Sequence, residues 1–149
     1  MNDEIGPTND DAVAEPTGGG ADPRALLEAM PFSRACGVEI DHATPEEVRG
    51  RMAWAPERCT AGGAMHGGAL MALADSLGGA CAVLNLPPGA ATTTLESKTN
   101  FFRAVREGEV RAVARPLHVG RTTIVVETDL YDPRGRRVAR VVQTQLVLR

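Results

Sequence analysis

The chain has 149 residues, 43% hydrophobic and 23% charged, with a formal net charge of −3. That is ordinary globular composition, with apolar material enough for one domain with a core. One Trp, one Tyr and three Phe are too few for the stacking surface of a nucleic-acid-binding protein.

Residues 1–22 carry six acids, no Lys or Arg, and the run Gly18-Gly19-Gly20. They can bury little and are expected to form a disordered acidic tail ahead of a single domain over residues 23–149. The rest of the chain holds 16 basic against 13 acidic residues, a balance that suits an anionic small molecule. No stretch joins a basic start to a long apolar run, so neither a signal peptide nor a membrane span is expected. Cys36, Cys59 and Cys81 are odd in number and lack C-x-x-C spacing. This argues against a disulfide framework or a metal site and fits a reducing, cytoplasmic setting.

Asp22-Pro23 reads as an N-cap followed by proline at the first helical position, opening a short helix through Met30 that Pro31 stops. Val38–Thr44 and Glu47–Trp54 read as two strands around Pro45, and Pro56–Met65 as a loop. His66–Leu84 is the main helix, ended by Pro87-Pro88-Gly89. Four strands follow: Ala91–Phe102, Glu109–Leu117, Thr122–Tyr131 and Arg137–Leu148. In the third, Ile124, Val126 and Leu130 share one face and Glu127 and Asp129 the other. His118–Arg121 is a tight connection around Gly120, and Asp132-Pro133-Arg134-Gly135 is a hairpin turn. The order is α+β.

The main helix carries two stripes. Leu70, Leu73, Leu77, Cys81 and Leu84 recur at helical spacing and should lie on a sheet. Gly68, Ala72, Asp75, Gly79 and Ala82 form a second stripe of small residues with one acid, where another chain or a ligand can come close. Taken singly, a mid-helix Asp is usually solvated and a Gly pair at a helix start is usually a turn. Together, on a helix apolar nearly all round, they suggest a buried carboxylate with a purpose, a candidate base, and bare N–H groups that polarise a carbonyl. Gly67 and Asp75 are eight residues apart, roughly 12 Å at 1.5 Å per residue, so they cannot touch one carbonyl. Two antiparallel copies of the helix across a two-fold axis would bring Gly67 of one chain to Asp75 of the other.

His66-Gly67-Gly68, Asp75 nine positions after the His, the strand Thr92–Phe102, Gly108-Glu109, the turn His118-Val119-Gly120-Arg121 and the closing strand to Leu148 make the chain resemble the hotdog-fold thioesterases. The resemblance is to the PaaI-like branch of the 4-hydroxybenzoyl-CoA thioesterase superfamily and runs from about residue 24 to Arg149. It implies an antiparallel sheet of about five to six strands wrapped round the central helix, a homodimer, and a dimer-of-dimers tetramer. It also implies hydrolysis of acyl-CoA thioesters without metal or cofactor, while composition points to neither nucleic acid nor membrane as partner. The Gly67 N–H would bond the thioester oxygen as charge develops. Asp75 of the other chain would activate water or attack directly. His66 would support the loop or the carbonyl site, or merely bond nearby backbone. Thr94 sits where relatives place a water-orienting Ser or Thr, though Thr also suits any strand. Thr60, six positions before His66, stands where many relatives carry Asn or Gln. Gly68, Val119 and Gly120 would lie along the substrate, with Arg103, Arg106 and Arg121 as candidates for the phosphates of CoA. Met65, Met71, Leu95, Phe101 and Phe102 are candidates to line the acyl pocket. The alternative function is a non-catalytic acyl-CoA-binding or sensor domain.

Overall fold

The computed structural model describes residues 20–149. Of the tail expected over residues 1–22, all but the last three residues lie outside the described residues. Within those three, the Ala21 N–H donates to Ala43 O at 3.0 Å, and the Asp22 carboxylate caps helix α1 (Pro23–Glu28) by accepting from the Arg24 N–H at 2.9 Å. The helix is shorter than expected. Pro31 does not merely follow it; Pro31 opens a second helix, α2 (Pro31–Ala35). Proline costs nothing at a first helical position, where the missing N–H has no partner to lose. Gly37 then turns the chain at φ +82, a backbone that glycine adopts freely.

Six strands follow: β1 (Val38–Ala43), β2 (Val48–Ala53), β3 (Ala91–Phe101), β4 (Glu109–Val119), β5 (Thr123–Tyr131) and β6 (Arg137–Leu148). They form one antiparallel sheet in the order β1-β2-β4-β5-β6-β3. Helix α3 (Gly67–Leu84) lies between β2 and β3 in sequence and packs on the sheet's inner face. This is the expected α+β hotdog arrangement. β4 runs two residues further than its pattern indicated, because Val119 still pairs with Ile124 before the Gly120 N–H closes the turn on Thr123 O at 2.8 Å. The β5–β6 hairpin is held by Asp132, whose carboxylate accepts from the Arg134 and Arg136 N–H groups and from Arg136 Nε.

The leucine stripe of α3 behaves as read: Leu70, Leu73, Leu77 and Cys81 are buried against Met52, Val110, Ala112, Ile124, Val126, Leu130 and Val141 of the sheet. Each leucine so buried contributes about 1.5–3 kcal/mol. α3 is also long and apolar enough to cross a membrane, which no segment was expected to be. It earns that composition as a core helix, with nine residues buried inside the fold. Burial pushes the Cys81 thiol up to about 12, with Glu46 adding to the effect.

The outer face of the sheet is ionic. Glu47 pairs with Arg49 and Arg115, Arg51 with Glu39, Asp41 and Glu109, and Asp129 with Arg137 and Arg140. Burial alone would raise the Asp129 carboxyl, but two bonds from Arg140 and the charge of Arg137 hold it below the usual carboxylate range. These five arginines and five carboxylates balance, so they contribute nothing to the basic excess read from composition.

Candidate active site

The α3 N-terminus is built by its own preceding loop. Thr60 and Ala64 bond through their backbones at 2.8 Å, Met65 N–H donates to Val105 O at 2.8 Å, and His66 N–H donates to Arg58 O at 2.8 Å. Two side chains pin the loop from outside: Trp54 Nε1 donates to Gly63 O at 3.0 Å and Arg106 to Gly62 O at 2.5 Å. His66 is the N-cap, and its Nδ1 accepts from the Gly68 N–H at 2.8 Å. That bond makes Nδ1 the unprotonated nitrogen and leaves Nε2 as a donor.

The expectation of two bare N–H groups is therefore half corrected. Gly68 spends its N–H on His66, because the cap closes back on the second helical residue. The Gly67 N–H has no partner among the described residues and stands at the positive end of α3. A Cβ at Gly67 would lie 3.1 Å from the Phe101 ring, so the glycine also admits that ring over the helix start.

Asp75 corrects a second expectation. It is exposed in the single chain, as is Gly68 of the same small-residue stripe, whereas Ala72 and Gly79 are half-buried and Ala82 is buried. One of its oxygens accepts from Gln143 Nε2 at 3.3 Å. Gln143 on β6 is fully buried, as is Gln145 two residues on. Gln145 Nε2 donates to Thr94 Oγ1 at 2.8 Å, and its Oε1 accepts from Thr92 Oγ1 at 3.2 Å. The sequence reading missed both glutamines. Their signal is faint: two amides at inward positions of a strand whose other inward residues are Ala139, Val141 and Val147.

The remaining candidates divide between the two ends of the sheet. Arg103, which donates to Arg137 O at 2.8 Å, and Arg106 follow β3 at the Phe101–Ala139 end. That is the end of Gly67. Val119 and Arg121, both exposed, and half-buried Gly120 turn at the other end, beside Leu146, which pairs with both Thr123 and Thr93. Arg121 makes no ion pair among the described residues. One chain thus does not gather its three candidate arginines. β3 spans ten residue steps between those ends, roughly 33 Å.

A cleft of about 690 Å³ opens beside the helix start, lined by Phe32, Ala35, Cys36, Cys59, His66 and Ala69 among others. None of the five residues expected to line an acyl pocket borders it. Met65 is core, whereas Met71, Leu95, Phe101 and Phe102 are exposed. The cleft is lined by α2, whose existence the sequence reading did not anticipate, by the loop over residues 55–59 and by the first turns of α3.

The profile of the Thioesterase superfamily matches residues 62–139. The chain is similar to ComA2 of Bacillus subtilis, 36% identical over 114 residues that cover 76% of this chain and 86% of ComA2. It is also similar to the 1,4-dihydroxy-2-naphthoyl-CoA hydrolase of Escherichia coli, 38% identical over 74 residues, 50% of this chain and 54% of the hydrolase. The chain spans about half the length of several of the curated relatives it matches. Among solved structures, a mutant form of the phenylacetic acid degradation protein PaaI from Thermus thermophilus superposes with a TM-score of 0.72. It has 26% identity, and the match covers 78% of this chain and 97% of PaaI.

Proposed function

Because the chain belongs to the thioesterase superfamily, we propose that it hydrolyses acyl-CoA thioesters, with aryl or short- to medium-chain acyl groups, at sites shared between two copies. One observation carries this reading. A free backbone N–H, at Gly67, and an exposed carboxylate, at Asp75, stand eight residues apart on one helix. Each is half of a site, and a second α3 running antiparallel supplies the other half.

The edge of the sheet supports a partner. β3 ends the strand order and leaves one row of backbone groups unpaired over eleven residues, with Leu95, Phe101 and Phe102 exposed. An edge of that length and character invites pairing. Pairing β3 with its copy closes the edge and sets the two α3 helices antiparallel. It also brings the Val119–Arg121 turn of one chain to the Arg103–Arg106 end of the other, so the arginines that one chain separates meet around the CoA phosphates. Two such dimers would associate as a tetramer.

In this arrangement the thioester oxygen accepts from the Gly67 N–H, whose helix end favours the developing negative charge. The partner copy's Asp75 carboxylate takes a proton from water as it attacks the carbonyl, or attacks the carbonyl itself to give an anhydride that water then cleaves. The thiolate of CoA leaves and takes up a proton. His66 Nε2–H adds a second donor at the carbonyl, and Thr94 orients the water. Thr60 supplies a shorter hydrogen-bonding arm beside the leaving group, and the acyl group enters the cleft next to His66. The reaction so drawn uses the Gly67 backbone N–H, side chains and water alone, within residues 23–149 and in the cytoplasm. The similarity to a naphthoyl-CoA hydrolase supports aryl-CoA among the substrates.

Purified protein given a panel of aryl- and fatty-acyl-CoAs should release free thiol, and Asp75→Asn should lower turnover by about 10²–10⁴-fold without lowering Tm, since Asp75 is exposed. Undiminished activity in Asp75→Asn overturns the mechanism. Tight acyl-CoA binding with no turnover across the panel overturns hydrolysis in favour of a sensor.

A further inference from the structure

The inner face of β6 carries two features that packing alone does not account for. Gln143 is 0% and Gln145 2% exposed, in a strand whose other inward positions are apolar. A buried amide is costly unless its donors and acceptors are met. Gln143 is met only in part: Nε2 reaches Asp75 at 3.3 Å, while Oε1 is buried with no partner among the described residues. A core built for stability alone would place valine here, as it does at Val141 and Val147.

α3 is shaped to admit this amide. A Cβ on Gly78 would lie 2.2 Å from Gln143 Oε1 and 2.6 Å from its Cδ. Only glycine leaves the space, and it sits in the middle of a helix, where it weakens the helix relative to alanine. The helix thus concedes stability at Gly78, and the strand concedes it at Gln143, to produce one contact with Asp75. The amide can point only one way, because its oxygen would repel an ionised Asp75 whereas its nitrogen donates to it.

Gln145 repeats the device one inward position further along. Its Nε2 donates to Thr94 Oγ1 at 2.8 Å, and its Oε1 is held by Thr92 Oγ1 at 3.2 Å. Thr94 is an exposed edge residue that would otherwise rotate freely. A β-bulge between Thr94 and Glu96 sets Leu95 out of register, so that Thr94 opposite Gln145 and Ser97 opposite Gln143 both lie on the inner face.

We propose that Gln143 and Gln145 are positioning residues that hold Asp75 and Thr94 in one geometry from beneath, through two amides inside the sheet, with Gly78 as the gap that makes this possible. The proposal rests on the hydrolase reading above. Neither glutamine touches substrate. Each removes rotamer freedom from a residue that does, so that the carboxylate and the hydroxyl are aimed before the thioester arrives.

The test uses the full-length protein and the acyl-CoA that the parent turns over fastest. Gln143→Met keeps the side-chain volume, deletes the unpartnered oxygen and leaves Asp75 untethered. It should lower kcat about tenfold with KM unchanged and Tm equal or higher. Gly78→Ala, which drives the amide away while keeping it, should give the same loss, and the two changes combined should cost no more than either alone. Gln145→Met should match Thr94→Val. In an Asp75→Asn background, Gln143→Met should cost nothing further. Parental kcat in both Gln143→Met and Gly78→Ala overturns the proposal, as does a loss that only tracks the fraction folded by circular dichroism. If Asp75→Asn itself retains full turnover, the underlying mechanism falls and this inference with it. If Asp75→Asn loses turnover while Gln143→Met and Gly78→Ala both keep the parental kcat, this inference alone falls.

Discussion

The two faces of the sheet handle polar groups in opposite ways. On the outer face charge is abundant and matched: Arg49, Arg51, Arg115, Arg137 and Arg140 each meet a carboxylate, and most of these pairs are open to water. On the inner face beneath α3 polar groups are few and imperfectly matched, with Thr99 Oγ1, Thr128 Oγ1 and Gln143 Oε1 buried and without a partner among the described residues. Solvated ion pairs add little, because water already satisfied both partners. An unmatched buried atom costs stability and persists where something other than stability holds it. The inner face is where Gln143 reaches Asp75, so on the proposed mechanism the poorer bonding falls on the more consequential face.

Substitutions can break or sharpen this contrast. After Asp75→Asn, the largest effect is expected at Gly67→Pro. It deletes the one free N–H of the helix start at the first helical position, which tolerates proline, and His66 before it already has φ −62 and ψ 136, the extended backbone that proline requires of its predecessor. Turnover should fall by about 10²–10³-fold while circular dichroism and Tm stay near the parent, the exposed Phe101 ring swinging off the new Cβ that would otherwise lie 3.1 Å from it. Loss of fold instead would make Gly67 a structural residue. Next is Leu73→Ala, an inner-face change with no polar content. It should destabilise by about 2–5 kcal/mol in urea unfolding and leave kcat of the remaining folded protein intact.

Asp129→Asn, where the outer face is most buried, should cost about 1 kcal/mol, and the cost should depend on pH. The Asp129 carboxyl lies below its usual range in the fold. Its stabilisation is therefore present above the unfolded value of about 3.9 and fades as pH falls through the lower folded value. Parent and variant should differ at neutral pH and converge in strong acid; an equal gap at every pH would show that the ion pair is not its source. Smallest is Arg115→Ala, which removes an exposed partner of Glu47. Stability should move by about 0.5 kcal/mol or less, with activity unchanged. A larger change would place function on the outer face and erase the contrast.

Much of this was legible in the residues. The period of Leu70, Leu73, Leu77 and Cys81 located α3 and its buried face, and alternation at Ile124, Val126 and Leu130 oriented β5. The spacing from Gly67 to Asp75 divided the candidate site into halves before any fold was known. Other features were not legible. Proline either ends a helix or begins one, and only the packing of α2 beside the cleft showed which Pro31 does. Whether Gly68 keeps its N–H free depends on the rotamer of His66, which a sequence does not carry. Asp75 was expected to be buried because α3 is apolar nearly all round, yet a single copy of the sheet covers one side of it. Arg106, read as a phosphate ligand, also pins Gly62, a contact between residues 44 apart.

By itself, then, the sequence determined the elements, their order and which polar groups α3 carries, because helical and strand periods, caps and proline turns act over a few neighbouring residues. Tertiary structure alone decided which polar atoms share a space. Gln143 reaches Asp75 across 68 residues of chain, and Gly78 matters only because that amide passes beneath it. Such contacts follow from how a strand lies under a helix, and no local pattern encodes them.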